Sequence, residues 1–156
     1  MPQKGRNVVE KIRVNVKKLK ENASLPKFGT EYAAGADLYA CIEAPQVIEP
    51  GKTEKVPAGI SIELPEGTVG LIYARSGLAL KKGLAPANKV GVIDCDYRGE
   101  IIVALHNHGD EAQTVEPGDR IAQLVVTPYL AVDYQECDEL SETVRGEGGF
   151  GSTGSK

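Results

Sequence analysis

Apolar residues recur along this chain in short, β-branched runs separated by turn-forming residues. Ile12, Val14 and Val16 alternate with charged or polar neighbours and predict a half-exposed first strand. Further strand-like runs occupy residues 47–48, 59–64, 68–73, 101–105 and 121–127, and clusters of proline, glycine and aspartate stand between them. This spacing predicts an all-β fold of the sandwich or jelly-roll type.

One short helix is predicted, over residues 76–83. Ser76 is placed to be its N-cap, Lys81 and Lys82 would lie in its last turn, and Gly83 would end it. After Tyr129 the pattern loosens into an acidic connector.

The chain ends in a segment with five glycines between residues 146 and 154. Because ordering glycine costs more backbone entropy than ordering any other residue, this tail is expected to be flexible and to order only on a ligand. We therefore expect a disordered N-terminal extension (1–10), a β domain (11–130) and a C-terminal arm that ends in the glycine-rich motif (131–156).

Length and composition narrow the class of protein. With 156 residues, of which 41% are hydrophobic and 26% charged, the chain suits one soluble globular domain. It contains no signal-peptide pattern and no run near the ~20 apolar residues of a membrane span. The net charge of -4 argues against a nucleic-acid-binding protein. A cytoplasmic protein with neither nucleic acid nor membrane as partner is expected, and its three cysteines, at 41, 95 and 137, are expected to be reduced.

Residues 88–100 suggest a functional site. By the two-residue period of a strand, Val90, Val92 and Asp94 share one face, with the carboxylate at the strand's end. Because the stretch continues into the run 101–105, its centre is expected to reverse direction as a hairpin. The carboxylate could act as a general base, and Gly99 and Tyr97 leave main-chain groups free to face a flat ligand. An ordinary acidic turn would contain the same residue types.

Four other stretches carry residues suited to a phosphorylated ligand. Residues 74–77 would bring a guanidinium and a hydroxyl to the start of the helix, where an anion could be held. Residues 34–40 place Asp37 in a strand, and residues 118–124 place Arg120 and Gln123 on another. The tail combines an arginine, an aromatic residue and many glycines, which could fold amides around phosphates.

Simpler explanations exist for three of these four stretches. Asp37 and Asp119 could be solvated residues of a strand edge or a turn, Arg120 could form a structural ion pair, and the tail could be a plain flexible terminus. His106 and His108 share a strand face, but a turn-flanking pair is expected there rather than a metal site. A nucleotide-binding P-loop motif is absent from the sequence.

Taken together and in this order, the five stretches resemble the five motifs of the trimeric dUTP diphosphatases (dUTPases). They are residues 34–40, 74–79, 88–100, 118–124 and 145–154, and the third and fifth match almost letter for letter. Ala36 and Ala74 depart from the pattern, since an aromatic residue and a proline are frequent there. Neither position would carry a catalytic side chain.

The resemblance implies a jelly-roll (β-clip) subunit, a homotrimer with active sites shared between subunits, and Mg²⁺-dependent hydrolysis of dUTP to dUMP and pyrophosphate. Such an activity limits uracil in DNA and supplies dUMP for dTMP synthesis. Asp94 would be the general base that activates water for attack on the α-phosphorus, and Asp37 would hold Mg²⁺ through water. Tyr97 would lie under the deoxyribose, while Arg145 and Phe150 would close over the γ-phosphate and the uracil. The remaining substrate-binding residues implied are Arg75, Ser76, Gly77, Asn88, Gly91, Val92, Ile93, Gly99, Ile102, Gln123, Gly151 and Ser152.

Two rival functions remain open at this point. The dCTP deaminases share the fold and resemble parts of these motifs, although residues 88–100 match the diphosphatase form; ammonia release from dCTP would identify one. A non-enzymatic oligomeric binding module would release no pyrophosphate from dUTP in the presence of Mg²⁺.

Overall fold

The computed structural model describes residues 11–149. Within this range the chain forms twelve strands and one short helix, which confirms the predicted all-β class. The elements are β1 Asn15–Lys18, β2 Lys27–Phe28, β3 Ala36–Tyr39, β4 Gln46–Ile48, β5 Thr53–Pro57, β6 Ile60–Glu63, β7 Thr68–Tyr73, α1 Ser76–Lys82, β8 Leu84–Pro86, β9 Gly91–Ile93, β10 Ile102–Asn107, β11 Gln113–Val115 and β12 Arg120–Pro128.

The strands form four antiparallel sheets around one hydrophobic core. The largest sheet has the order β2-β3-β12-β7-β9, a second has the order β5-β10-β8, and two further sheets pair β1 with β6 and β11 with β4. Buried apolar side chains from all four sheets belong to the same cluster, among them Leu38, Ile48, Ile60, Leu105 and Ile121. β12 lies at the centre of the largest sheet, where it pairs with β3 on one side and with β7 on the other.

The predicted strands are found where buried and exposed side chains alternate. In β10, every second side chain from Val103 onward is buried, as the two-residue period requires. The first strand is shorter than expected, because it begins at Asn15 and leaves Ile12 55% exposed. Val14 and Val16 still pack against the core.

The helix has its predicted bounds but a different cap. Arg75, in an extended conformation, is the N-cap, and Ser76 is the first helical residue, so the prediction that Ser76 is the N-cap is wrong. The helix ends as predicted: Gly83 adopts a left-handed conformation with φ 64° and donates its N–H to the Ala79 carbonyl at 3.0 Å.

The predicted hairpin around residue 94 is also wrong. β9 pairs with β7 in the largest sheet, whereas β10 pairs with β5 and β8 in another. Residues 94–101 therefore connect two sheets. The chain reverses within this connection through a turn in which the Tyr97 N–H donates to the Asp94 carbonyl at 3.1 Å.

The chain leaves the sheets after β12. Residues 129–149 contain neither helix nor strand, and every residue from 129 to 147 is exposed. Among the described residues no helix has the length and apolar character needed to cross a membrane.

Candidate functional site

Asp37 organises a cluster of charges on the largest sheet. It lies on β3 between two buried neighbours, and its side chain is 14% exposed. Its Oδ1 accepts a hydrogen bond from Arg75 Nε at 2.7 Å, and its Oδ2 lies 3.4 Å from Arg120 Nη1. The ion pair that was the simpler explanation for Arg120 is therefore present. With two guanidinium groups on one carboxylate, the cluster keeps an excess positive charge.

The register of the sheet explains why these residues meet. On β12, Gln123 stands opposite Asp37 of β3 on one side and opposite Tyr73 of β7 on the other. Arg75 lies two residues beyond the end of β7. The Gln123 amide donates to the Ala74 carbonyl at 2.9 Å and so joins β12 to the segment that enters the helix.

An open cavity of about 230 Å³ lies beside this cluster. The lining is polar. It includes the phosphate-binding residues that were predicted in the stretches 74–79 and 118–124, together with Asp37 of the stretch 34–40. The lining residues are Gly29, Ala33, Gly35, Asp37, Arg75, Ser76, Gly77, Arg120 and Gln123. Guanidinium groups, a hydroxyl and main-chain amides around one opening can bind a phosphate group.

The Asp94 segment lies at the edge of the same sheet. Val90, Val92 and Asp94 are exposed while Gly91 between them is buried, so the predicted shared face is confirmed. A Cβ added to Gly91 would lie 3.5 Å from the Asn88 Nδ2, which places the Asn88 amide over the start of β9. Lys89 adopts a positive φ of 65° at the bend that precedes this strand.

Tyr97 is held against its own turn. Its hydroxyl donates to the Glu100 carbonyl at 3.1 Å, and the side chain remains 43% exposed. A side chain on Gly99 would collide with the Tyr97 ring, so only glycine allows this close approach. Ile102, the first residue of β10, is also exposed, at 46%.

Asp94 and Arg75 lie far apart within one chain. Gly70 of β7 stands opposite Ile93 of β9, so the next position along the ladder sets Val69 opposite Asp94. Arg75 follows Val69 by six residues of extended chain, which corresponds to roughly 20 Å at the rise of a strand. The structure thus gives two separate clusters. One is the polar cavity beside Asp37, which we call the phosphate cavity after its predicted ligand, and the other is the Asp94 turn.

Arg98 and Glu63 form a contact that was not predicted from the sequence. Arg98 Nη1 donates to the carbonyls of Cys95 at 2.7 Å and Tyr97 at 3.1 Å, and Nη2 lies 3.2 Å from a carboxylate oxygen of Glu63. A hydrogen bond from Asn15, with a smaller contribution from Arg98, lowers the pKa of Glu63 below its usual 4.5. No local signal predicts this pair, because the two residues are 35 positions apart.

Comparison with known proteins decides the family. The dUTPase family model matches residues 21–154. This chain belongs to the dUTPase family. The deoxyuridine 5'-triphosphate nucleotidohydrolase of Desulfitobacterium hafniense is 50% identical over 145 residues, which cover 92% of this chain and 96% of that protein.

Solved dUTPase structures share the fold. The Staphylococcus bacteriophage 80alpha dUTPase with dUPNHPP aligns with a TM-score of 0.83 and 29% identity, over 91% of this chain and 98% of that one. A mutant dUTPase from phage phi11 of S. aureus, whose structure reveals the coordination of a structural Mg(II) ion, aligns with a TM-score of 0.74 and 25% identity. That alignment covers 82% of this chain and 98% of the phage protein.

The last dUTPase motif is only partly described. Arg145 is exposed, and its Nε donates to the Gly148 carbonyl at 2.8 Å, so among the residues 11–149 its side chain hydrogen-bonds within its own segment. Phe150, Gly151 and Ser152, which the sequence analysis assigned to substrate binding, lie outside the described residues.

The two histidines pack on each other outside the cavity beside Asp37. The rings of His106 and His108 meet edge to face with centroids 4.4 Å apart, and His106 Nδ1 shares a 2.9 Å hydrogen bond with Thr53. Desolvation, followed by the charges of Lys89 and His106, lowers the pKa of His108. Between residues 11 and 149 no group of three or more His, Cys, Asp or Glu side chains is arranged to hold a metal ion.

Proposed function

We propose that this chain hydrolyses dUTP to dUMP and pyrophosphate, with Asp94 as the general base and Mg²⁺ as the cofactor. The proposal is carried by the similarity to relatives named deoxyuridine 5'-triphosphate nucleotidohydrolase, which extends over more than nine-tenths of the chain. In the cell this cytoplasmic activity would limit the entry of uracil into DNA and supply dUMP for dTMP synthesis.

The phosphate cavity would bind the triphosphate. Arg75 has its Nε directed at Asp37, which leaves its two terminal nitrogens available for phosphate oxygens. Ser76 and Gly77 are exposed at the start of α1 and would donate their hydroxyl and amide hydrogens. Gln123, held by the Ala74 carbonyl, would complete the set. Hydrolysis at a phosphorus atom needs positioning and charge neutralisation, and these groups supply both.

Asp94 would take the proton from the attacking water. The residue is exposed at the end of β9, with no strand pairing beyond Ile93 to cover it in the described chain, so water can reach its carboxylate. As the water attacks the α-phosphorus, the bond to the bridging oxygen breaks and pyrophosphate leaves. General bases of this kind contribute about 10²- to 10⁴-fold to a rate.

The surroundings of Asp37 suit a Mg²⁺ ion that is held mainly by the phosphates of the substrate. Both oxygens of Asp37 already face guanidinium groups, so this carboxylate fits a contact through water better than direct ligation. Mg²⁺, when bound to the phosphates, would neutralise their charge. A related phage dUTPase coordinates a structural Mg(II) ion.

The main chain around β9 would recognise uracil. Gly91, Val92 and Ile93 would present backbone donors and acceptors, and Asn88 lies over the same backbone. Such a site rejects cytosine because a mispaired buried polar group costs ~1 to 3 kcal/mol. Tyr97 would lie under the deoxyribose and exclude a 2'-hydroxyl, with Gly99 and Ile102 lining the same side.

A homotrimer with shared sites would bring the two clusters together. A substrate that spans a base and three phosphates must reach both Asp94 and Arg75, and the separation of roughly 20 Å along one sheet is too large for a single water-mediated attack. A symmetric assembly that sets the Asp94 turn of one subunit against the phosphate cavity of another removes this difficulty. Arg145, Phe150, Gly151 and Ser152 would then close over the bound nucleotide as a lid.

A nucleotide panel tests the activity. With Mg²⁺, dUTP should release pyrophosphate rapidly, whereas dTTP, dCTP and UTP should react poorly. Asp94→Asn should lower kcat by about 10³-fold at unchanged oligomer mass, because the amide cannot accept the proton. Absence of pyrophosphate release from dUTP, or ammonia release from dCTP, would refute the proposal.

Mixed subunits test the shared site. Asp94→Asn and Arg75→Ala should each be inactive alone. If each site takes these residues from different subunits, trimers refolded from an equal mixture should regain activity in roughly a quarter of their sites. A mixture as inactive as its components would exclude the shared arrangement.

A further inference from the structure

The turn that carries Asp94 and Tyr97 has little strand pairing to hold it. β9 ends at Ile93, and the next strand begins at Ile102 in a different sheet. In the described chain, the backbone supplies one hydrogen bond within the turn, from the Tyr97 N–H to the Asp94 carbonyl. Other contacts must therefore fix the direction of the Asp94 carboxylate.

Arg98 provides such contacts. One terminal nitrogen donates both to the Cys95 carbonyl at 2.7 Å and to the Tyr97 carbonyl at 3.1 Å. These two carbonyls belong to Cys95, the residue after Asp94, and to Tyr97, which the proposed function places under the deoxyribose. A planar guanidinium can meet several acceptors at fixed angles, which the single ammonium of lysine cannot reproduce.

The other terminal nitrogen of Arg98 joins the turn to a separate sheet. It lies 3.2 Å from Glu63 Oε1, and Glu63 is the last residue of β6. Asn15 of β1, which stands opposite Glu63 in the β1–β6 pair, donates to the second oxygen of the same carboxylate at 2.8 Å. The turn is thus tied to a strand pair outside the sheet that holds β9.

The exposure of the Arg98–Glu63 ion pair indicates that it contributes little to stability. The side chains of Arg98 and Glu63 are 54% and 52% exposed, and ion pairs so open to water add little to the stability of a fold. Their effect should therefore fall on the geometry of the turn and much less on the unfolding temperature.

We propose that Arg98 is a positioning residue that, anchored by Glu63, sets the backbone from Asp94 to Tyr97 for hydrolysis. This inference rests on the proposed function. Loss of the contacts would displace the general base and the ring under the sugar together. A misplacement of about 1 Å in such a group can cost about 10²-fold in rate.

Kinetics of matched variants test the proposal. Arg98→Gln and Arg98→Lys should lower kcat for dUTP about 10²-fold and reduce the selectivity for dUTP over UTP. Glu63→Gln keeps a hydrogen-bond acceptor for Arg98, so its kcat and its selectivity should fall less. Arg13→Gln, at an exposed arginine just before β1, should retain wild-type values and serves as the control.

A merely structural role would give a different result. It would lower the unfolding temperature and the folded fraction while kcat per folded site and the dUTP/UTP ratio stayed at wild-type values; that result would overturn the proposal. Wild-type rates in Arg98→Gln would overturn it as well.

Hydrogen exchange tests the contact independently of activity. The amides of residues 94–99 should exchange about tenfold faster in Arg98→Gln than in the wild type or in Arg13→Gln. Unchanged exchange would overturn the proposal even if the variant were slow. A wild-type protein that released no pyrophosphate from dUTP would refute the proposed function, and the exchange result would still decide whether Arg98 holds the turn.

Discussion

Replacing Asp37 by alanine should lower the stability of the fold and weaken the binding of dUTP in the phosphate cavity. The substitution removes the acceptor of the 2.7 Å hydrogen bond from Arg75 and the nearby charge that faces Arg120. The Asp37 and Arg75 side chains are 14% and 25% exposed, so the pair lies between an open surface pair and a buried one.

The expected loss follows from this intermediate burial. Exposed pairs contribute up to about 1 kcal/mol, and breaking a buried pair costs about 3 to 5 kcal/mol, which gives about 2 kcal/mol here. For a chain of this length the unfolding temperature should fall by about 4–8 °C. Asp37→Asn, which keeps an acceptor without the charge, should lose about half as much.

Thermal unfolding at one fixed protein concentration measures this effect, since the midpoint of the proposed homotrimer would depend on concentration. Asp110→Ala, in the exposed turn after β10, is the control. KM for dUTP should also rise about tenfold in Asp37→Ala, equivalent to ~1.4 kcal/mol, because Arg75 loses its fixed orientation. An unfolding temperature and KM equal to those of the control would refute the reasoning.

Three further changes test other parts of the molecule. Gly99→Ala should force the Tyr97 ring aside and lower the dUTP/UTP selectivity about tenfold at a nearly unchanged unfolding temperature; retained selectivity would contradict the close packing. A chain ending before Arg145 should keep the fold and lose most turnover, and unchanged steady-state kinetics would exclude a lid. Because Asn15 and Arg98 lower the pKa of Glu63, its charge stabilises the fold above the unfolded pKa and this contribution is lost as the pH falls through the lower, folded pKa. The unfolding temperature of the wild type should therefore fall more steeply than that of Glu63→Gln between about pH 5 and pH 3, and equal slopes would refute this.

Longer strands with a regular apolar face, such as β10 and β12, could be predicted from the sequence, and β5 could not. β10 and β12 show apolar side chains at the positions that the core requires. β5 reads Thr-Glu-Lys-Val-Pro, and only Val56 among its residues is buried. Such a strand exists because β10 pairs with it, and a local pattern contains no information about a partner such as Val103, which stands opposite Val56 from 47 positions away.

The errors at the helix and at the turn share a cause. Ser76 was a reasonable N-cap by residue type, yet the extended backbone of Arg75 places the cap one residue earlier. A run of apolar residues on each side of a turn normally indicates a hairpin, yet β9 and β10 pair with other strands. In both places the course of the backbone depends on the strand pairing of the adjacent segment, which a local pattern does not show.

For the candidate site, the residues could be predicted from the sequence, but their arrangement in space could not. Motifs identified Asp94, Arg75 and Gln123 individually, because residue type and order along the chain are visible in a sequence. Which of them meet depends on register: β12 sets Gln123 beside Asp37, and β7 carries Arg75 away from Asp94. Contacts across 35 to 83 positions, such as those of Arg98 and Arg120, leave no local pattern. The sequence can therefore supply the residues of such a site, whereas its geometry depends on the assembled sheets and, under the proposed function, would be completed by a second subunit.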